Sequence, residues 1–283
     1  MIAVAVVALI VGVVVVVVLA DRPQAPRDSG FGPGDPVIAA AGDIACHPAD
    51  RSFAGGEGST RSCHQLAVSD LLLGDGIDRV LALGDLQYYC GTKAAFQASY
   101  DLSWGRVKSK TLPVPGNHEY IEKSKASEES SRRGCDSTNA GAAGYYDYFG
   151  PAAGDRRQGG YSFDLGAWHV VALNSECDEV GGCGRGSPQE RWLVADLAAH
   201  PARCTLAYWH KPLFSPGEHG GNTELTDIWT DLHHRPVDGA RRWIAEGLRR
   251  EGEAAFRARP ARSRDRGRRR GADRRGGGGG HAG

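Results

Sequence analysis

Arg79-Val80-Leu81-Ala82-Leu83-Gly84-Asp85-Leu86-Gln87-Tyr88 carries the reading of the fold. Arg79–Leu83 is an apolar run of strand length that stops at Gly-Asp, a turn pair. The device recurs. Val37–Ile44 is an apolar run that holds Gly42-Asp43, and Thr111–Pro115 runs into Gly116-Asn117-His118. Thr205–Trp209 is a further strand, closed by His210. Between these runs, His64–Leu73 has helical spacing. Pro188–His200 has a Pro near its start and apolar Trp192, Leu193, Ala195 and Leu197, and Thr223–His233 reads as another helix. Tyr161–Asn174 alternates and turns at Gly166, as a hairpin does. This order predicts an α/β fold, a layered sheet with helices packed on it. Ligands of such sheets bind outside the carboxyl ends of the strands. Asp43, Asp85, Asn117 and His210 all fall there.

The chain has 283 residues, room for one large domain or two small ones. Its 34 basic and 34 acidic residues balance, but unevenly. Residues 235–283 hold 15 Arg and six acids, so the tail is +9 and the remainder −9. Hydrophobic content of 41% and aromatic content of 8% exclude wholesale disorder. The 40 Gly follow no three-residue period, which excludes collagen. Only the tail is basic, which argues against a nucleic-acid binder as a whole.

Met1–Ala20 is apolar apart from Gly12, and at ~1.5 Å per residue it would span about 30 Å of hydrocarbon. It reads as a membrane anchor or as a signal peptide cut after Val18-Leu19-Ala20; a buried helix fits so long a Val run poorly. Either reading puts the body of the chain outside the cytoplasm, secreted or membrane-anchored. Residues 21–36, with four Pro and three Gly, read as a linker. A domain is expected at 37–234, followed by a tail at 235–283. Seven cysteines suit an oxidising compartment. Cys177 and Cys183 flank Gly181-Gly182 and can close a small loop. Cys46 with Cys63, and Cys90 with Cys135, are further candidate pairs; sequence leaves the connectivity open, and one cysteine must remain over.

Two carboxylates, an amide oxygen and an imidazole form a hard, mixed O/N donor set suited to divalent or trivalent first-row metals. One carboxylate can bridge two cations about 3.5–4 Å apart, the spacing that clamps phosphoryl groups. Each residue alone has a plainer reading. Gly-Asp after a strand is ordinarily a turn or cap, and a lone His210 is ordinarily a satisfied core histidine. The set is more specific than its members.

Gly42-Asp43, Gly84-Asp85-Leu86-Gln87-Tyr88, Gly116-Asn117-His118-Glu119 and Ala207-Tyr208-Trp209-His210 resemble successive motifs of the calcineurin-like metallophosphoesterases. The resemblance covers roughly residues 37–232. Tyr88, three residues after Asp85, is similar to a ligand position of the purple acid phosphatase branch, near the alkaline phosphatases. Many members have His two residues after the first Asp, where Ala45 stands here. The resemblance implies a four-layer α/β/β/α sandwich with a two-metal site. It implies that Asp43 and Tyr88 bind one metal, that Asp85 bridges, and that Asn117 and His210 bind the other. A phenolate from Tyr88 points to iron, paired with Zn, Mn or a second Fe. The implied activity is hydrolysis of phosphate esters by hydroxide activated between the two metals. His118 would stabilise charge or protonate the leaving group, and His219 would reach the phosphate as an outer donor.

The family's closing Gly-His-x-His is absent, and the only histidines after His219 are His233, His234 and His281. Each metal is then expected to keep three of its ligands and to bind weakly. Trp243, Ile244, Leu248 and Phe256 offer a helix over residues 239–257; beyond 260 too little apolar surface is left to order the chain. The Arg/Gly/Ala/Pro composition suggests a reading-frame shift near His233. The sheet is therefore expected to stop at the strand ending in His210 and to expose an edge. The alternative function is a catalytically inactive, extracytoplasmic relative whose basic tail binds polyanions, nucleic acid included. A structural, membrane-anchored protein is a third. Of the other polar residues, His47 and His64 are expected at the surface, His169 in the hairpin, and Tyr145, Tyr146 and Tyr148 either under a loop or at a cleft mouth.

Overall fold

The computed structural model describes residues 36–74, 76–121, 135, 137–202, 204–217, 219–234 and 241–246. Met1–Ala20, nearly all of the linker and the tail beyond 246 lie outside these residues. Among the described residues no helix is long and apolar enough to cross a membrane.

The strands are β1 (Ile38–Ala41), β2 (Arg79–Leu83), β3 (Thr111–Val114), β4 (Tyr161–Leu165), β5 (Trp168–Ala172), β6 (Cys204–Trp209) and β7 (Arg241–Glu246). The α-helices are α1 (Gln65–Asp70), α2 (Lys93–Ala98), α3 (Ala143–Phe149), α4 (Pro188–Ala199) and α5 (Thr226–His234). One sheet is β1-β2-β3, wholly parallel; the other is β4-β5-β6-β7, with β4 antiparallel to β5 and the rest parallel. The expected hairpin forms about Gly166, which takes a positive φ of +59°. Ser187 caps α4 by accepting the Glu190 N–H at 3.2 Å, with Pro188 in the first turn.

Alternation along the strands builds the layers. Leu81 and Leu83 of β2, Ile38 and Val114 pack with Trp168, Val170, Ala172, Leu206 and Tyr208 of the other sheet, so the sheets face each other. Val80 and Ala82 turn the opposite way, toward Phe96, Trp104, Val107, Tyr145 and Phe149. Val171, Leu173, Ala207 and Trp209 turn toward Leu193 and Leu197 of α4 and Ile228 and Leu232 of α5. The order is helix, sheet, sheet, helix, as the resemblance implied. Tyr145 and Tyr148 are buried and Tyr146 packs against the same cluster, so these three do not line a cleft.

β7 corrects the expectation for the C-terminal segment. Residues 241–246 are a strand, not part of a helix, and pair in parallel with β6 from Cys204↔Arg241 to Trp209↔Glu246. The edge expected at β6 is therefore covered, and the folded region runs past the boundary expected at 234. The composition of the whole tail was a poor guide here. A ladder is made by backbone groups, and six residues that include the β-favouring Trp243 and Ile244 suffice.

Cys46–Cys63, Cys90–Cys135 and Cys177–Cys183 are disulfide-bonded, with Cα atoms 5.4, 5.4 and 5.2 Å apart, and Cys204 is free. These are the candidate pairs. Cys46–Cys63 closes a 17-residue separation and ties the chain just past Asp43 to the start of α1. Removing it by a double Ser substitution is expected to cost about 3 kcal/mol through the freed unfolded chain. Denaturant unfolding of the two forms checks this; equal midpoints would show that packing alone holds the loop.

Candidate metal centre

β1 and β2 are parallel neighbours, and the chains leaving them keep step. Asp43, Ile44 and Ala45 N–H donate to Gly84, Asp85 and Leu86 O, each at 3.0 Å. Asp43 and Asp85 both take left-handed backbone, φ +54° and +50°, a region that Asp tolerates better than most residues. The two aspartates thus share one backbone conformation, although Gly84 takes a positive φ and Gly42 does not. Between them lies Tyr88, whose hydroxyl donates to Asp43 Oδ1 at 2.5 Å and stands 3.2 Å from Asp85 Oδ2.

Asp85 is fully buried and sits at the centre. Its Oδ1 accepts the His118 N–H at 2.9 Å and lies 3.3 Å from His210 Nε2. His210 ends β6 and is held by its other nitrogen: Nδ1 donates to Leu83 O at 2.9 Å, because a carbonyl can only accept. This bond joins the carboxyl ends of the two sheets and aims Nε2 at Asp85. Nε2 is buried with no hydrogen-bond partner of good geometry. Close approach sets the glycines here. A Cβ on Gly84 would stand 2.6 Å from His210 Cβ, and one on Gly116 would strike Asp85 Oδ1 and His210 Cδ2.

The charges are strongly coupled. Burial works against an ionised Asp85, but His210, then His118, outweigh it and hold the carboxyl well below its usual range. Burial works against a charged His210, and the Asp85 carboxylate reverses this, pushing the imidazole up to about 9. Tyr88 is pushed far above its ordinary value, by burial first and then by the carboxylates of Asp85 and Asp43. Without metal it is a neutral phenol bonded to Asp43.

His118 Nδ1 donates to Tyr89 O at 2.6 Å, and its Nε2 is 3.9 Å from Asp85 Oδ2. Asn117 opens the short 3-10 turn Asn117–Tyr120 directly after Gly116 and is half-buried. The structure therefore brings together Asp43, Asp85, Tyr88, His118 and His210, with Asn117 beside them through its chain neighbours. His219 is exposed, and among the described residues no hydrogen bond or ion pair joins it to this group. His233 stacks on Trp229 at 4.6 Å, on the outer helical layer.

Glu119 ends the motif Gly116-Asn117-His118-Glu119, and the sequence assigns it no role. It is fully buried, and its two oxygens take four backbone N–H groups: Oε2 those of Asp85 and Gly116, at 2.9 and 2.7 Å, and Oε1 those of Leu86 and Gln87, at 2.8 and 3.2 Å. One carboxylate thus ties the loop after β2 to the loop after β3. Burial and the Asp85 charge push its pKa up to about 8, against the pull of those donors. Gln87 extends the clamp. Its Nε2 donates to Cys46 O at 3.2 Å and to Tyr88 O at 2.5 Å, and its Oε1 accepts Tyr100 N–H at 3.1 Å. The only signal for either was an acid and an amide placed beside apolar strand ends.

The donor set fits metal ions. Two carboxylates, a phenol between them and a buried imidazole nitrogen aimed at one of them form an arrangement that protons satisfy poorly and hard cations satisfy well.

No family model and no curated protein matches the chain. Among solved structures the chain is similar to a purple acid phosphatase from yellow lupin (Lupinus luteus) seeds, at 19% identity over 66% of this chain and 33% of that one, with a TM-score of 0.43. It is similar to PhoD at 12% identity, over 75% and 52% of the two chains, with a TM-score of 0.42. A third is GAP50, the anchor in the inner membrane complex of Plasmodium, at 7% identity, 79% and 78% coverage and a TM-score of 0.37. The chain spans about a third of the first protein and about half of the second. Likenesses at this level assign no role to any residue.

Proposed function

We propose that the chain hydrolyses phosphate esters with two metal ions, Asp85 bridging, Asp43 and Tyr88 holding one, and Asn117 and His210 the other. The observation that carries this reading is the convergence on buried Asp85: the Tyr88 hydroxyl, the His118 amide and the otherwise unpartnered His210 Nε2 all meet its oxygens. The motif resemblance supports the same assignment. When bound, the metals would supply Lewis acidity at the phosphoryl oxygens and lower the pKa of water. Asp85 and Asp43 orient the centre, and Glu119 holds the loops that carry it. His118, its Nδ1–H fixed on Tyr89 O, turns Nε2 toward the cluster, where a proton can be given to a leaving oxygen. His219 takes no part in the arrangement observed. The three disulfides favour an extracytoplasmic site of action.

β7 is followed in sequence by Gly247-Leu248-Arg249-Arg250, with no histidine. What is missing relative to the resemblance is therefore two imidazoles and not the strand before them. That observation favours a second reading, an inactive form whose basic tail binds polyanions. Metal content and hydrolysis of an aryl phosphate by the purified full chain decide between them. Turnover that needs metal and stops on chelation supports the first reading. Metal-loaded protein without turnover, or no metal uptake at all, supports the second. Finding Gly-His-x-His in another frame of the coding DNA would mark the tail as out of frame.

Tyr88→Phe tests the choice of metal. Iron-loaded protein is expected to show a visible phenolate-to-iron charge-transfer band, absent from the variant. A colourless active enzyme unaffected by Tyr88→Phe would mean other metals, with Tyr88 only bonding to Asp43.

A further inference from the structure

We propose that His169, Asp196 and His200 form a second, separate site for a divalent transition-metal ion of the zinc class. His169 lies near the start of β5, away from the carboxyl end that leads to the Asp85 cluster, and shares its face of the strand with Val171. That face meets the apolar side of α4, yet it carries a histidine only 1% exposed, which packing alone does not call for.

The surroundings are those of a metal ligand. His169 Nδ1 donates to Asp164 Oδ1 at 2.8 Å, so a carboxylate fixes the tautomer and points Nε2 at the candidate position. Nε2 meets Asp196 Oδ2 at 2.8 Å. Ser162 Oγ donates to Asp196 Oδ1 at 2.7 Å and orients that carboxylate in turn. His200, at the C-cap of α4, places Nδ1 3.3 Å from Asp196 Oδ1 and 3.0 Å from its backbone O. One donor atom from each of the three residues lies within 4.8 Å of the others. Tetrahedral zinc, with bonds of about 2.0–2.1 Å, needs donor atoms ~3.4 Å apart. His169 Nε2 and Asp196 Oδ2, 2.8 Å apart, must open to admit the ion, and His200, which stacks on the His169 ring at 4.6 Å and is 45% exposed, must turn its Nδ1 off the Asp196 backbone O.

Two imidazoles and a carboxylate suit zinc and its neighbours rather than magnesium or calcium. Without metal, Nε2 of His169 must carry a proton to bond Asp196, so a cation entering here replaces that proton between two carboxylates. The exposed edge at His200 leaves a coordination position for water.

Equilibrium dialysis of the full chain against zinc, with metal counted per chain, tests the site. The wild type is expected to hold one zinc more than His200→Ala. The count is a difference, so zinc at the Asp85 cluster cancels, and this inference can fail or stand independently of the phosphoesterase reading. Asp164→Asn, at a position 68% exposed, is expected to weaken the same zinc about 10–100-fold. Equal stoichiometry and affinity in the wild type and His200→Ala overturn the proposal. So does an unchanged zinc affinity in Asp164→Asn.

Discussion

Asp85→Ala is expected to abolish the uptake of a metal pair and to lower phosphoester turnover by at least about a thousandfold. Loss of one hydrogen-bond donor to a developing charge costs ~10²–10³ in rate. Asp85 is placed to contribute more, because its two oxygens face opposite partners: Oδ2 the Tyr88 side, Oδ1 the His210 side. On the proposed assignment, removing it would take a ligand from both metals at once. The fall should show both in metal per chain and in turnover at saturating metal. An active Asp85→Ala variant holding two metals would end the bridging assignment. His200→Ala, outside this centre, is the control that should keep its turnover.

Glu119→Gln is expected to destabilise the fold by about 3–6 kcal/mol. Each carboxylate oxygen of Glu119 takes two backbone N–H groups. An amide replaces one of those oxygens by NH2 and sets it against two donors. Above a pH of about 8, where Glu119 is ionised, hydrogen bonds to the charged group contribute ~1.5–3 kcal/mol each, and two are lost, so the comparison is made there. At roughly 2–4 °C per kcal/mol for a domain of this size, the Tm falls by about 6–24 °C. Thermal unfolding of the metal-free protein measures this. A Tm within a degree or two of the wild type would mean that the two loops hold their places without the clamp. Glu119→Asp keeps the charge but shortens the reach, so it should fall between the two.

The candidate centre was legible in part because its residues sit at recurrent local devices. Asp43 and Asp85 each follow an apolar run and a glycine, and that signal needs only a few neighbouring residues. His210 closes an apolar strand in the same way. Glu119 was visible as a letter of a motif, but its task was not. Its partners at Asp85, Leu86 and Gln87 are 32 to 34 residues away, and they are backbone groups that no side-chain pattern announces. His169 was legible only as a hairpin residue. Asp164 faces it across the hairpin, but Asp196 comes from α4, and nothing local says that it meets His169. His219 was expected near the phosphate from its distance past His210; it is exposed.

By itself, the sequence determined the strands β1 to β6, the hairpin at Gly166, the helices at 188 and 223, and which residues stand at the carboxyl ends of those strands. These follow from periodicity and turn chemistry, which act over a few residues. Only the tertiary structure decided which cysteines pair, that β7 adds to β6, that Glu119 ties two loops together, and that His210 faces Asp85 from the other sheet. Those outcomes depend on backbone groups and on contacts between segments far apart in the chain, which are fixed only once two sheets pack face to face.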